Sequence, residues 1–167
     1  MWTREIPFID PVATALALSQ LPGLAFLDSA MPHGTLGRRS ILGADPFGRF
    51  RFREGRASLD GRMLEGGPLE ALRACLAPYR VAPDADLPGL PGGAIGYLAY
   101  DLGRSLESVA PPARRAGLCD DIALNFYDTL LVIDHGSGRC ELVATGFPET
   151  GAQARQARAS SRLDLFA

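Results

Sequence analysis

The stretch IALNFYDTLLVID at residues 122–134 has a strong strand pattern, because apolar and β-branched residues dominate it. HGSG follows at residues 135–138, and this mixture of glycine and small polar residues is typical of a tight turn. Residues 140–145 (CELVAT) are again rich in strand formers. The segment therefore predicts one long strand, a turn and an antiparallel return.

Further strands are predicted on its N-terminal side. The apolar run at residues 24–27 indicates a short buried strand. Phe50 and Phe52 alternate with arginines, as in a strand with one buried face, and Asp60-Gly61 is a hairpin signal, so residues 40–63 predict an antiparallel meander. Residues 93–100 (GAIGYLAY) predict another buried strand whose glycines allow a neighbouring backbone to come close.

Helices are expected between these strands. Asp10, followed by a proline, predicts a helix that runs to residue 21. Residues 68–79 carry apolar side chains at helical spacing. Asp101 is expected to cap a short helix in which Arg104 and Glu107 pair. The chain therefore predicts an α+β fold, with antiparallel sheets and helices packed on them.

The length of 167 residues is that of one domain, so we expect residues 1–167 to form a single domain. Residues 149–166 predict a last helix, and no glycine or proline stop signal follows it. We therefore expect that a further C-terminal part belongs to this protein.

The composition excludes several classes of chemistry. All 17 basic residues are arginines, so this chain has no lysine for a Schiff base or a Walker phosphate loop. The net charge of −2 argues against a basic surface for nucleic acid. The apolar runs are too short to cross a bilayer and no leader pattern opens the chain, so we expect a cytoplasmic protein without membrane contact. The three cysteines are expected to be reduced.

Two candidate constellations have simpler interpretations. Ser29, His33 and Asp45 could form a serine triad, but no nucleophile elbow accompanies them, which favours a polar loop with a capping serine. Four aspartates could hold a cation or act as an acid–base pair, but they lack the spacing of a calcium loop, and structural roles are favoured for them: Asp120, Asp121, Asp128 and Asp134.

Arginines suggest two anion sites. Arg49, Arg51, Arg53 and Arg56 alternate with aromatic residues and could contact nucleic acid, although the same alternation is typical of a solvated strand face, which we favour. The loop pair Arg38-Arg39 could hold an anion or a carboxylate, and the residue pattern leaves this open.

Three segments together resemble the chorismate-utilising synthases. They are LDSA at residues 27–30 with GADP at 43–46, PGGAIGYLAYDLGRSLE at 91–107, and FYDTLLVIDH at 126–135. They follow in the order and spacing of that family and cover most of residues 24–145. DLGRSLE after Tyr100 resembles aminodeoxychorismate synthase component I more than anthranilate synthase component I, where bulkier residues follow the aspartate.

The resemblance implies that residues 1–167 form the N-terminal domain of the anthranilate synthase component I-like fold. The C-terminal chorismate-binding domain, with the magnesium-ligating glutamates and the catalytic lysine and glutamate of the family, is then absent from this chain. The complete enzyme would use Mg²⁺ and ammonia from a glutamine amidotransferase partner to make 4-amino-4-deoxychorismate for the folate pathway. This part would hold no cofactor, carry no catalytic residue and be inactive alone.

Alternative interpretations are the N-terminal domain of anthranilate synthase component I, or a stand-alone regulatory ligand-binding module. The resemblance also implies a tryptophan-like amino-acid pocket formed by Ser29, Leu36, Gly37, Arg38 and Arg39. The loop supplies no aromatic side chain, so we expect weak or no tryptophan binding. An apolar face left by the missing domain is expected to cause self-association.

Overall fold

The computed structural model describes residues 1–29, 31, 36–81, 92–107 and 119–167. These residues form two compact units: unit 1 comprises Met1–Phe47, Val81–Gly93 and Tyr127–Ala167, and unit 2 comprises Gly48–Arg80 and Ala94–Phe126. The expectation that residues 1–167 form a single domain stays a prediction. The contacts within these residues separate the two units.

The elements are numbered in chain order. They are β1 (Trp2–Ile6), α1 (Pro11–Leu18), β2 (Ala25–Leu27), β3 (Arg39–Gly43), β4 (Gly48–Arg53), β5 (Arg56–Leu59), β6 (Arg62–Leu64), α2 (Pro68–Leu76), β7 (Gly93–Leu98), α3 (Gly103–Leu106), β8 (Ile122–Tyr127), β9 (Thr129–Asp134), β10 (Arg139–Ala144) and α4 (Ala152–Phe166). Single 3₁₀ turns at Ala77–Tyr79 and Tyr100–Leu102 extend α2 and precede α3.

Unit 1 is built on a sheet with the strand order β1-β10-β9-β3-β2, in which every neighbouring pair is antiparallel. The register places Leu131 of β9 between Leu42 of β3 and Leu142 of β10. These three side chains are buried, and Ala159 and Leu163 of α4 pack in the same apolar cluster. The core of unit 1 therefore lies between the centre of the sheet and α4.

Unit 2 contains the second sheet, with the order β6-β5-β4-β8-β7. Phe50 of β4 lies opposite Leu59 on one side and Leu124 on the other. Phe50 and Phe52 are buried whereas Arg49 and Arg53 are exposed, as the alternation in the sequence predicts. The predicted α+β class, with antiparallel sheets and packed helices, is confirmed.

The predicted long strand at residues 122–134 is wrong in one respect. It is two strands, β8 in the sheet of unit 2 and β9 in the sheet of unit 1, and Asp128 between them belongs to neither. The chain therefore leaves one sheet and enters the other at Asp128, which is fully buried and forms ion pairs with Arg158 and Arg162 of α4. Asp128 and Asp134 therefore do not lie on one face of a common strand.

Other elements also differ from their predictions. β7 is an edge strand and its last residues are exposed, not buried, because it has a neighbour on one side only. The helix after Asp101 spans only four residues, and Arg104 pairs with Asp101 at 3.1 Å rather than with Glu107. β1 was not predicted, and α4 begins at residue 152 instead of 149.

Candidate functional site

Ser29 lies two residues after the end of β2, at the end of the unit 1 sheet. Its hydroxyl donates a hydrogen bond to the carbonyl oxygen of Arg39 at 2.6 Å, and its backbone N–H donates to the hydroxyl of Ser40 at 3.4 Å. Both bonds fasten the segment to β3. They exist because β2 and β3 pair antiparallel, with Leu27 opposite Ile41.

The other residues predicted for the pocket lie at the start of β3. Leu36 is exposed, and Gly37 adopts the left-handed backbone conformation with φ of 66°. The guanidinium groups of Arg38 and Arg39 stand 3.7 and 3.6 Å from the carboxylate of Asp134. The structure therefore brings Ser29, Arg38 and Arg39 to one end of the sheet, and the exposed Leu36 precedes them.

Asp134 organises the turn between β9 and β10. One of its oxygens accepts the N–H groups of Gly136 and Ser137, each at 2.9 Å. These bonds, that of Ser137 first, together with the charge of Arg38, lower the pKa of Asp134 below its ordinary value, although burial acts against them. The carboxylate of Asp134 is thus held ionised beside the guanidinium groups of Arg38 and Arg39.

Sequence reasoning missed a second group of polar residues at this end of the sheet. Ser40 is fully buried, and its hydroxyl donates to the carboxylate of Asp28 at 2.6 Å and lies 2.7 Å from Nε2 of His135. The register of β3 on β9, with Arg39 opposite Asp134, brings His135 next to Ser40 across 95 residues of sequence. No signal in the sequence pointed to this contact.

The serine–histidine pair in the described residues, Ser40 and His135, is not a hydrolase site. Ser40 and His135 are within hydrogen-bonding distance, but a fully buried hydroxyl that donates to a carboxylate cannot act as a nucleophile on a substrate. Of the proposed triad, Asp45 bonds to Arg162 at 2.6 Å and Ser29 to a backbone carbonyl. His33 lies outside the described residues. The interpretation as a polar loop with a capping serine stays a prediction.

Three of the four aspartates considered for a cation have arginine or backbone N–H partners for their carboxylates: Asp120, Asp128 and Asp134. Asp128 pairs with Arg158 at 2.7 Å and with Arg162 at 3.3 Å. Asp120 lies within 4 Å of Arg51 and Arg53. In the part of the chain that the structure describes, no group of three histidine, cysteine, aspartate or glutamate side chains could hold a metal ion.

Two further sequence features have structural explanations. Among the arginines that could contact nucleic acid, Arg51 and Arg53 of β4 lie within 4 Å of Asp120. The negative charge of Asp120 offsets part of their positive charge. Gly96 of β7 allows the close backbone approach that we predicted, because a Cβ there would collide with the carbonyl oxygen of Ala123. Of the helices in the described ranges, none is long and apolar enough to span a membrane.

The known proteins that are similar in sequence to this chain include component 1 proteins of two synthases. No protein-family model matches the chain. Anthranilate synthase component 1 of Thermus thermophilus is 33% identical over 156 residues, which covers 92% of this chain and 33% of that protein. The Cereibacter sphaeroides protein of the same name is 30% identical, covering 90% and 32%. Aminodeoxychorismate synthase component 1 of Salmonella typhimurium is 41% identical over 70 residues, covering 41% and 15%.

A solved structure has the same fold. The crystal structure of anthranilate synthase component I from Streptococcus pneumoniae matches 97% of this chain and 36% of its own, with a TM-score of 0.64 and 21% identity. The chain thus spans about a third of the length of the relatives that it matches most broadly. By sequence and by fold, this protein is a relative of the component I proteins of anthranilate synthase and aminodeoxychorismate synthase.

Proposed function

We propose that this chain is the non-catalytic N-terminal domain of an aminodeoxychorismate synthase component I. The observation that carries the proposal is the match to component 1 proteins over as much as 92% of this chain but only a third of theirs. The choice of the aminodeoxychorismate type rests on the higher identity, 41%, over the 70 residues shared with the Salmonella protein and on the DLGRSLE segment at residues 101–107.

A second candidate is anthranilate synthase component I. Its support is the breadth of the similarity, since the Thermus and Cereibacter proteins align with nine-tenths of the chain. A stand-alone regulatory module remains the third alternative. The reading frame after Ala167 separates the module from a synthase, and the product formed from chorismate by the entire encoded protein separates the two synthases.

The proposed reaction of the complete enzyme is replacement of the 4-hydroxyl of chorismate by an amino group. Ammonia would come from a glutamine amidotransferase partner, and Mg²⁺ would be held by the part of the enzyme that this chain lacks. No lysine of this chain can serve the reaction, because it has none. Its contribution would be scaffold, an amino-acid pocket and part of the partner surface, in the cytoplasm.

The amino-acid pocket is proposed at Ser29, Leu36, Gly37, Arg38 and Arg39. We propose that the guanidinium groups of Arg38 and Arg39, which lie at this end of the sheet, recognise the carboxylate of a free amino acid. The hydroxyl of Ser29 already donates to the carbonyl oxygen of Arg39, which leaves its lone pairs to accept from an ammonium group. The exposed Leu36 offers little surface for an indole ring.

Calorimetry with tryptophan tests this pocket. We expect weak or no binding by the 167-residue chain, because no aromatic side chain lines the loop. Micromolar affinity would contradict that expectation. Any binding heat that comes from carboxylate recognition should fall in the variant Arg38→Gln. Arg56→Gln, on the other unit, is the matched control and should leave that heat unchanged.

Turnover of chorismate tests the non-catalytic role. The purified chain is incubated with chorismate, ammonium and Mg²⁺, and anthranilate and 4-aminobenzoate (after lyase treatment) are quantified. We expect no product, whereas the full-length Salmonella relative under the same conditions is the positive control. Measurable turnover by the 167 residues would overturn the proposal.

A hybrid protein tests the scaffold role directly. The matching third of the Thermus component 1 is replaced by this chain, and circular dichroism establishes that the hybrid is folded. We expect the folded hybrid to keep measurable chorismate turnover. A folded hybrid without turnover would show that this chain does not supply the scaffold.

Self-association is proposed as a further property. Apolar surface is exposed in unit 2 at Tyr97 and Leu98 of β7 and at Tyr100, which is almost fully exposed. A second copy of the chain would reduce its contact with water.

A further inference from the structure

The hydroxyl group of Ser40 connects three segments of unit 1 at the end of the sheet. Its oxygen lies 2.6 Å from Oδ1 of Asp28, 2.7 Å from Nε2 of His135 and 3.4 Å from the backbone nitrogen of Ser29. Ser40 itself has no exposed surface. Every hydrogen bond of this hydroxyl must therefore be made within the protein.

Counting protons assigns each bond a direction. A serine hydroxyl has one hydrogen to donate and two lone pairs to accept with. An ionised carboxylate only accepts, so the single hydrogen of Ser40 goes to Asp28. The lone pairs then accept from the N–H of Ser29 and from His135, which can donate only if its Nε2 carries a proton.

We propose that His135 is a positioning residue that donates from Nε2–H to Ser40 and so fixes the Asp28-Ser29 segment of the amino-acid pocket. The hydrogen-bond chain stands by itself, and its relevance to ligand binding rests on the proposed function. Nε2 carries hydrogen both in the Nε2–H tautomer and in imidazolium, so the donor survives protonation of the ring.

Backbone pairing explains why a residue from another hairpin holds this segment. β3 lies between β2 and β9, with Leu27 opposite Ile41 and Arg39 opposite Asp134. The N–H of His135 also donates to the carbonyl oxygen of Arg38 at 2.8 Å. Both the backbone and the ring of His135 are therefore fastened to β3.

Several charged groups surround the histidine. The carboxylate of Asp28 faces it through Ser40, and Asp134 precedes it in the turn. Arg38, which precedes β3, and Arg39 of β3 approach Asp134, and on the strands β10 and β1 Arg139 pairs with Glu5 at 3.0 Å. When Nε2 of His135 donates, the hydroxyl hydrogen of Ser40 can bond to Asp28. If Nε2 accepted instead, that hydrogen would point to Nε2, and the carboxylate of Asp28 would lose its hydrogen bond from Ser40.

Nitrogen NMR of the ligand-free chain tests the proton assignment. Two-bond ¹H–¹⁵N spectra report which imidazole nitrogen of His135 is protonated. The expected result at neutral pH is a protonated Nε2. A neutral ring with hydrogen only on Nδ1 would overturn the proposal, and this measurement needs no variant.

Amide exchange in two variants tests the positioning. The substitution His135→Gln places a side-chain amide donor within reach of Ser40, whereas His135→Leu offers none. We expect the amide of Ser29 to exchange about tenfold faster in His135→Leu and within about twofold of the wild type in His135→Gln. Unchanged exchange of Ser29 in His135→Leu would overturn the positioning role.

The amide of Ser137 is the internal control, because Asp134 holds it in the same turn without help from His135. Faster exchange of Ser137 in both variants would show that the turn itself had opened, and would contradict a specific role for the imidazole. None of these measurements needs a ligand. If they show the expected results while no amino acid binds, the pocket is rejected and the hydrogen-bond chain is retained.

Discussion

Replacement of Arg162 by methionine is the sharpest test of how unit 1 is held together. The guanidinium of Arg162 in α4 donates to Oδ2 of Asp45 at 2.6 Å and to the carbonyl oxygens of Ala44 and Asp45 at 3.1 and 3.0 Å. Its Nε lies 3.3 Å from Oδ1 of the fully buried Asp128. The side chain thus joins α4 to the segment after β3 and to the junction of β8 and β9.

The expected cost follows from burial. The side chain of Arg162 is only 8% exposed, and removing one partner of a buried ion pair costs about 3–5 kcal/mol. Methionine keeps the aliphatic part, and Asp128 keeps Arg158, so we expect the lower end, about 3 kcal/mol. For a chain of this size that corresponds to a decrease in Tm of roughly 6–12 °C.

Arg158→Met is the matched control. Arg158 also reaches Asp128, at 2.7 Å from the same helix, but its side chain is 30% exposed. We expect this variant to lose about 1.5 kcal/mol, the lower end for a hydrogen bond to a charged group, because Arg158 makes one such bond whereas Arg162 donates three hydrogen bonds from a more buried side chain.

Urea unfolding monitored by circular dichroism measures both free energies of unfolding. In the double variant with Asp128→Asn, the cost of Arg162→Met should shrink by about 0.5–3 kcal/mol, the coupling expected of contacting residues. Equal losses for Arg162→Met and Arg158→Met, or strict additivity in the cycle, would refute the reasoning from burial.

Three further outcomes are expected. Folding lowers the pKa of Asp134, chiefly through the N–H of Ser137. The stabilisation that ionised Asp134 contributes is therefore complete above about pH 4 and is lost as the pH falls through the lowered pKa. The urea midpoint of Asp134→Asn should consequently change less with acid than that of the wild type. Gly96→Ala should cost about 1–3 kcal/mol because its Cβ would meet the backbone of Ala123, whereas Gly103→Ala, with open space, should be neutral or stabilise by up to about 1 kcal/mol; equal thermal shifts would contradict this. Light scattering should show self-association that Tyr100→Ser weakens, and a monomer at high concentration would argue against it.

Local patterns predicted most of the elements. The alternation of Phe50 and Phe52 with arginines identified a strand with one buried face, and Asp10 caps α1 through the N–H of Ala13 as expected. The assignment at residues 122–134 failed because period and propensity are the same on both sides of Asp128. Which sheet each half joins depends on partners distant in the sequence.

For the candidate site, the sequence alone supplied the residue types and, through the three motifs, the relatives. Ser29, Arg38 and Arg39 could be named because the motif and the loop lie close together in the chain. His135 and Ser40 could not, because they are 95 residues apart and meet only through the pairing of β3 with β9. The tertiary structure likewise determined the role of Asp128. From its residue type this carboxylate could bind a cation, but it is buried beside Arg158 and Arg162. Ion pairing with these arginines offsets the cost of removing its charge from water.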